Sequence, residues 1–182
     1  MDFLDILKPA AQISAAACRK IARETAGSID PALVGGSNPY GSESEARFKA
    51  FLDGNLLHVV DGKDLSLEPG PVYSNVDLVY CKGGLTWRLD NSEVVLIEVK
   101  RAAKLKTSDG LVSNAIREIE GDVRNLQSAK LQFKNARLVS IVAFVDYDAE
   151  TYDAEIPSLE KHMLNQFAQN GTIVSEVAFI LC

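Results

Sequence analysis

Three charged residues of this chain, Asp77, Glu98 and Lys100, are of types that could act together in catalysis. Glu98 and Lys100 belong to the octet VVLIEVKR at 94–101, in which five residues are apolar, so the octet is predicted to be a buried β-strand. Because side chains alternate between the two faces of a strand, Glu98 and Lys100 point to the same face. A charge that faces a core is costly unless it is paired or bound to a metal. The two residues therefore mark either a solvated strand end or a site.

Asp77 belongs to another predicted strand and can approach Glu98. Twenty residues separate the two, enough for one intervening strand and two turns. Two converging carboxylates repel each other and shift their pKa values unless they share a cation. Such oxygen ligands suit Mg²⁺, which typically takes one or two protein carboxylates and keeps several waters. Lys100 could then contact a metal-bound water or a phosphate oxygen. Alternatively, Asp77 simply accepts a hydrogen bond from a neighbouring turn.

A third carboxylate, Glu45, lies near the start of a predicted helix. Ser42 and Glu45 form an S-x-x-E capping box, and Gly54 is the expected stop of this helix. The helical spacing puts Glu45 on the same face as Phe48 and Leu52, so it points inward. It could add a metal ligand, although the capping box explains it without a metal.

The elements that must position these residues follow from hydrophobic periodicity and turn signals. Helices are predicted over 3–25 (interrupted or divided at Pro9), 42–55, 112–133 (with Leu131 on its apolar stripe) and 155–171 (ending at Gly171). Strands are predicted over 73–81, 85–89, 93–101, 137–147 and 172–182, with a further short strand at 56–60. This order of helix, three-strand meander, helix, strand, helix and strand implies a mixed sheet covered by helices, an α/β sandwich.

Composition places the chain among ordinary soluble globular proteins. It has 182 residues, of which 47% are hydrophobic and 24% charged. No apolar run approaches the roughly 20 residues that a membrane span needs. Three scattered cysteines are too few for a disulfide framework or a zinc site, so a reducing, cytoplasmic setting is expected. The metalloprotease, P-loop and nucleophile-elbow motifs are absent from the sequence.

The charge is unevenly distributed along the chain. The net charge is −6, but residues 100–137 carry +5 and the rest −11. The basic segment is either a solvated helix face or a surface for an anionic polymer. Residues 138–182 contain seven acidic residues and a single Lys161, a pattern that suits a protein partner better than DNA.

Asp77 followed by Glu98-Val99-Lys100, in a helix–strand–strand–strand–helix–strand order over residues 42–147, resembles the PD-(D/E)XK, or restriction-endonuclease-like, nuclease superfamily. Val76 stands where the proline of the family motif would be. The resemblance implies a mixed β-sheet flanked by helices, with an αβββαβ core and an extra C-terminal helix and strand. It divides the chain into an N-terminal helix and loop, 1–40, and a nuclease-like domain, 41–182.

The resemblance also implies roles for the site residues. Asp77, Glu98 and the Val99 carbonyl would ligate Mg²⁺, for which Mn²⁺ substitutes, and Glu45 would be the helix-borne acid. Lys100 would position the attacking water and stabilise the transition state. The basic segment would contact DNA through Lys104, Lys106, Arg117 and Arg124, and Gln127 would match a glutamine that some subfamilies place near the lysine.

The expected activity is that of a Mg²⁺-dependent endonuclease acting on DNA, of restriction or repair type. A homodimer is expected if both strands of a duplex are cut. The alternative is a non-catalytic module of the same fold that binds a protein or nucleic-acid partner.

Overall fold

The structure is a computed structural model. It describes residues 3–26, 41–60, 67–69, 76–82, 94–102, 113–131, 133, 135–145 and 152–182. The helices are α1 (Phe3–Ala26), α2 (Gly41–Val60), α3 (Ser113–Lys130) and α4 (Tyr152–Gln169). The strands are β1 (Leu67–Pro69), β2 (Leu78–Lys82), β3 (Val94–Ala102), β4 (Arg137–Phe144) and β5 (Val177–Leu181).

The described strands form one mixed sheet in the order β1-β2-β3-β4-β5. The pairs β1–β2 and β2–β3 are antiparallel, whereas β3–β4 and β4–β5 are parallel. Each parallel pair is joined by a helix, α3 or α4, as parallel connections require. The predicted mixed α/β architecture is therefore confirmed, while the restriction-endonuclease-like arrangement stays a prediction.

Helices cover both faces of the sheet. Ile97 and Val99 of β3 pack in one core with α1 and α2, while Leu96 packs with α3. Residues of α4 share a further core with α3, β4 and β5. This alternation confirms that Glu98 and Lys100 lie on the face opposite to Ile97 and Val99, namely the face that α3 covers.

The helix α1 runs without a break through Pro9, so the predicted interruption there is wrong. Ile6 and Leu7 before the proline and Ala10 after it are all buried, and this packing holds the helix together on both sides. These residues belong to the same core as α2 and the sheet. The division of the chain at residue 40 stays a prediction.

The helix α2 continues past Gly54 to Val60, so neither the predicted stop at Gly54 nor the predicted strand at 56–60 is correct. Phe48, Leu52 and Leu56 follow one another at four-residue spacing and are all buried. The gain from burying Leu56 on this face outweighs the low helix propensity of an exposed glycine.

Two predictions about the later helices have opposite outcomes. Leu131 follows the last residue of α3 and is 79% exposed, so its predicted place on the apolar stripe is wrong; Phe133 fills the core there instead. The predicted end of α4 at Gly171 is confirmed, since Gly171 has a φ of 72° just beyond the helix.

The antiparallel part of the sheet uses other segments than predicted. β2 starts at Leu78 rather than residue 73, and the predicted strand at 85–89 lies outside the described residues. β2 pairs directly with β3, so the expected intervening strand does not separate them. No helix among the described residues has the length and apolar character needed to cross a bilayer.

Candidate active site at the start of strand β2

Direct pairing of β2 with β3 brings Asp77 to the middle of β3. Leu78 is paired with Ile97, and Asp77 lies one residue before β2. The backbone N–H of Val99 donates a hydrogen bond to Asp77 Oδ2 at 2.8 Å. The Asp77 side chain thus accepts a hydrogen bond at the point where the backbone pairing of β2 with β3 ends. This bond fixes the position of Asp77 beside Glu98.

Glu98 is buried, with 6% of its surface exposed. Burial raises the pKa of its carboxyl group to about 9, and the charge of Asp77 and a hydrogen bond to it contribute to this rise, as does the charge of Asp122. The nearby Lys49 ammonium acts in the opposite direction. At neutral pH and without a metal, Glu98 therefore holds a proton and shares a hydrogen bond with Asp77. The predicted convergence of these two carboxyl groups is present in the structure.

Lys49 of α2 is a member of the site that sequence reasoning missed. Its ammonium group lies 3.1 Å from Glu45 Oε1 and also forms an ion pair with Asp77 Oδ1. Burial alone would lower the pKa of Lys49, but the hydrogen bonds and charges of Asp77 and Glu45 raise it. The four-residue spacing of Glu45 and Lys49 was the available signal, because such pairs lie on one side of a helix.

Lys100 points toward α3, where its ammonium lies 2.9 Å from Glu118 Oε2. Burial would lower the pKa of Lys100, but the hydrogen bond to Glu118 and the charges of Asp122, Glu118 and Glu45 raise it. Lys100 is therefore a cation that α3 holds on the same face of the sheet as Glu98.

Asp122 is the second acidic residue of α3 in this site, one helical turn after Glu118. Burial raises its pKa to about 6, the positive charge of Lys100 acts to lower it, and the charges of Asp77, Glu45 and Glu118 act to raise it. The sequence analysis assigned no role to Glu118 or Asp122. Their four-residue spacing on the helix that follows β3 was the signal for a shared role.

In the described arrangement, a divalent cation could be held only by one pair of carboxylates, those of Asp77 and Glu98. Among the described residues, no three or more His, Cys, Asp or Glu side chains are grouped as a metal site requires. Asp77 and Glu98 converge, but the two oxygens of Asp77 already accept from Lys49 and from the Val99 N–H. Glu45 is turned to Lys49. A cation at this pair would have to displace the Lys49 ammonium from Asp77 Oδ1.

The predicted nucleic-acid contacts are described only in part. Arg117 and Arg124 are exposed on α3, seven residues apart and so on one side of the helix. Lys104 and Lys106 lie outside the described residues. Gln127 does not face Lys100: its amide donates to the Ile173 carbonyl at 2.6 Å, near the other end of α3.

Comparison with known proteins adds no assignment. No protein-family model, no curated protein sequence and no solved structure matches this chain.

Proposed function

We propose that the chain is a Mg²⁺-dependent nuclease of the PD-(D/E)XK type that hydrolyses phosphodiester bonds in DNA. The observation that carries the proposal is the meeting of Asp77, which immediately precedes β2, with Glu98 of the neighbouring strand β3, with Lys100 on the same strand face as Glu98. A buried carboxyl group with a raised pKa, such as that of Glu98, is uncommon in a purely structural core when it lies beside a lysine. The αβββαβ element order, followed by α4 and β5, supports the restriction-endonuclease-like fold.

The residues of the site fit a Mg²⁺ ion in their chemistry. Asp77, Glu98 and the Val99 carbonyl would hold it, and the raised pKa of Glu98 gives a direct reason, because a cation replaces the proton that the carboxyl pair otherwise needs. When bound, Mg²⁺ supplies polarisation of the phosphate and a lowered pKa of the attacking water. Glu45 can join the ligands only by exchanging its contact with Lys49.

The protein's own groups then orient the substrate and stabilise charge. Glu118 holds the Lys100 ammonium on the face that carries Glu98, where it can donate to a phosphate oxygen or to the attacking water. A fixed cation aimed at the developing negative charge lowers the barrier because it needs no reorganisation. Arg117 and Arg124 on the following helix offer backbone contacts for DNA.

The experiment is cleavage of supercoiled plasmid DNA by the purified protein in Mg²⁺ or Mn²⁺. We expect cleavage by the wild type and its loss in Asp77→Ala and Lys100→Ala. Lys130→Ala is the matched control, because Lys130 also forms a Lys–Glu pair, with Glu176 at 2.6 Å, and has a similar exposure to Lys100. A wild type inert with both metals on DNA and RNA would contradict the proposal.

Lys49 favours a second candidate, a non-catalytic module of the same fold that binds a protein or nucleic-acid partner. Its ammonium supplies the positive charge between Glu45 and Asp77 that a metal would otherwise supply. In that case the wild type binds no Mn²⁺ in a calorimetric titration. Binding of Mn²⁺ that disappears in Glu98→Ala separates the nuclease from the module.

A further inference from the structure

The strand β5 forms one edge of the sheet, because among the described strands it pairs only with β4. All five of its residues, Val177–Leu181, are apolar. The opposite edge strand, β1, has only three residues and ends in Pro69, and short strands and prolines are common means of protecting a sheet edge from added strands. β5 contains neither a proline nor a charged residue, so its own sequence gives it no such protection.

The backbone groups of alternate residues in β5 point away from β4. Cys182, just after the strand, donates its N–H to the Val142 carbonyl at 3.0 Å and accepts from the Phe144 N–H at 2.7 Å. In a parallel pair both backbone groups of a residue point to the same side, and the side alternates along the strand. Phe179 and Leu181 therefore turn their N–H and C=O groups outward, where no backbone partner is found among the described residues.

A groove of about 530 Å³ lies along this outer edge of β5. The helices α1 and α4 form its two walls, and Phe179–Cys182 form its floor. The residues of α1 that line it run from Lys8 to Arg19, about 16 Å along the helix axis, which is close to the length of a five-residue strand. The groove is thus long enough for one extended segment beside β5.

The two walls of the groove differ in charge. Lys8 and Arg19 line it from α1, whereas none of the described acidic residues of α1 does so. Arg19 is 8% exposed, and its Nη1 group donates to the Phe144 carbonyl at 2.9 Å, which holds the guanidinium group in place. The wall from α4 is mainly apolar and consists of Ile156, Pro157 and Glu160. A bound segment would match these walls with acidic side chains toward α1 and apolar side chains toward α4.

The same charges disfavour a second copy of this chain as the occupant of the groove. Two β5 strands that pair edge to edge in antiparallel fashion are related by a two-fold axis perpendicular to the sheet. Such an axis brings α1 of one copy beside α1 of the other, so Lys8 and Arg19 of both copies face each other, and like charges across an interface are unfavourable. An extended peptide has no helix to place there and can carry the opposite charge.

We propose that the outer edge of β5 binds an extended peptide of a partner protein, which adds to the sheet as a further strand. Phe179 and Leu181 supply the backbone hydrogen bonds, and alternate side chains of the peptide face the two walls, acidic ones toward Lys8 and Arg19 and apolar ones toward α4. β5 is two strands away from β3, which carries Glu98, so this inference does not depend on the proposed nuclease function.

The probe is a fluorescein-labelled peptide of about seven residues in which glutamate and valine alternate, so that the acids lie on one face of the strand and the valines on the other. Amide hydrogen exchange of the full chain, followed by NMR, reports on the edge directly. In the free protein the amides of Phe179 and Leu181 should exchange faster than that of Ile180, which points to β4. Saturation with the peptide should slow exchange at Phe179 and Leu181 by about tenfold or more, with a smaller change at Ile180.

Fluorescence anisotropy separates the backbone contribution from the charge contribution. A peptide that is N-methylated at every residue has no backbone donors and should bind about tenfold more weakly or worse. A peptide with lysine in place of glutamate should also bind more weakly, and Lys8→Glu should weaken binding of the glutamate peptide by about fivefold. Lys161→Glu is the control, because Lys161 is exposed on α4 and does not line the groove; it should keep the wild-type affinity.

Several results would overturn the inference. Slow exchange of Phe179 and Leu181 in the free monomer would show that the chain itself covers this edge, and slowing that increases with protein concentration would place a second copy there. Absence of peptide binding, binding that leaves these two amides unchanged, or binding that survives N-methylation would equally contradict strand addition. Plasmid cleavage should be the same in Lys8→Glu and the wild type, so a wild type without nuclease activity would bear on the proposed function alone.

Discussion

Lys49 forms an ion pair with Asp77. Asp77 immediately precedes β2, the strand that pairs with the predicted catalytic strand β3. This lysine also contacts Glu45, so a single ammonium group balances two of the carboxylates that a nuclease would use for its metal. The metal-free site is therefore stabilised by a cation that the chain itself provides, and a bound ion must compete with it.

Replacing Lys49 tests this competition. In Lys49→Met, Asp77 Oδ1 has no ammonium partner, so we expect Mn²⁺ to bind about tenfold more tightly, equivalent to about 1.4 kcal/mol. The metal-free variant should be less stable, by about 1 to 3 kcal/mol, because its carboxyl groups lack a partly buried counter-charge. Calorimetry and urea unfolding measure the two effects. Lys130→Met is the control, and weaker Mn²⁺ binding in Lys49→Met would contradict the competition.

The raised pKa of Glu98 predicts how stability depends on pH in the absence of divalent ions. The ordinary pKa is 4.5 and the folded value about 9, so between these values the folded state holds a proton that the unfolded state has released. The free energy of unfolding must then fall as pH rises through this window, by up to about 1.4 kcal/mol per pH unit from this group. Below the lower value the contribution is fully present.

Urea unfolding at a series of pH values in the presence of a chelator checks this dependence. Glu98→Gln, which has no proton to lose, should remove most of the slope and be more stable than the wild type at about pH 9. Glu120→Gln should keep the slope. If Glu98→Gln unfolds with the same pH dependence as the wild type, Glu98 is not the group that titrates.

Metal binding should release a proton from the same carboxyl pair. Glu98 must ionise to become a ligand, so Mn²⁺ affinity should increase with pH up to about 9. Calorimetry in two buffers with different heats of ionisation counts the protons released. About one proton per ion is expected near neutral pH, and none if Glu98 remains protonated in the complex.

Lys100 and Lys130 provide a matched comparison of the proposed catalytic lysine with a lysine outside the proposed site. Each pairs with a glutamate, Lys100 with Glu118 and Lys130 with Glu176, and each is about a quarter exposed. Removing either pair should cost at most about 1 kcal/mol of stability. Lys100→Ala should lower the rate of plasmid cleavage by a factor of about a hundred or more, and Lys130→Ala should leave it near the wild-type rate. Equal rates in the two variants would remove Lys100 from the mechanism.

Arg117 and Arg124 are predicted to bind the DNA backbone. Replacing both by alanine in a catalytically inactive background should weaken DNA binding. The slope of log affinity against log salt should also become shallower, by about 0.9 for each phosphate that is no longer neutralised. Fluorescence anisotropy at several salt concentrations measures the slope. Lys161→Ala, exposed on α4, is the control, and an unchanged slope in the double variant would place the DNA elsewhere.

Asp77, Glu98 and Lys100 could be predicted as site residues because strand alternation and the order of the elements can be read from the sequence. Glu98 and Lys100 share a face by the period of a strand, and this needs no tertiary information. The direct pairing of β2 with β3 was not predicted, since the choice of strand neighbours depends on side-chain packing across the sheet and not on chain order. This pairing nevertheless brings Asp77 to Glu98, as their separation along the chain predicted.

Lys49, Glu118 and Asp122 were missed because each acts on a residue of another helix or strand, and such neighbours are set only by the tertiary fold. Lys49 needs α2 packed against the end of β2, and Asp122 needs α3 laid across β3. The error at Gly54 has a similar origin: a glycine is unfavourable in a helix locally, but the burial of Leu56, which extends the helix, depends on the core. Tertiary burial outweighs local propensity in such cases.

The most direct test of the central claim is a crystal structure of the protein in Mn²⁺, with the ion located by its anomalous scattering. We expect a peak about 2.1 Å from carboxylate oxygens of Asp77 and Glu98, with the Lys49 ammonium moved away from Asp77. A Lys49–Asp77 ion pair that persists at saturating Mn²⁺, with no peak beside Glu98, would contradict the claim.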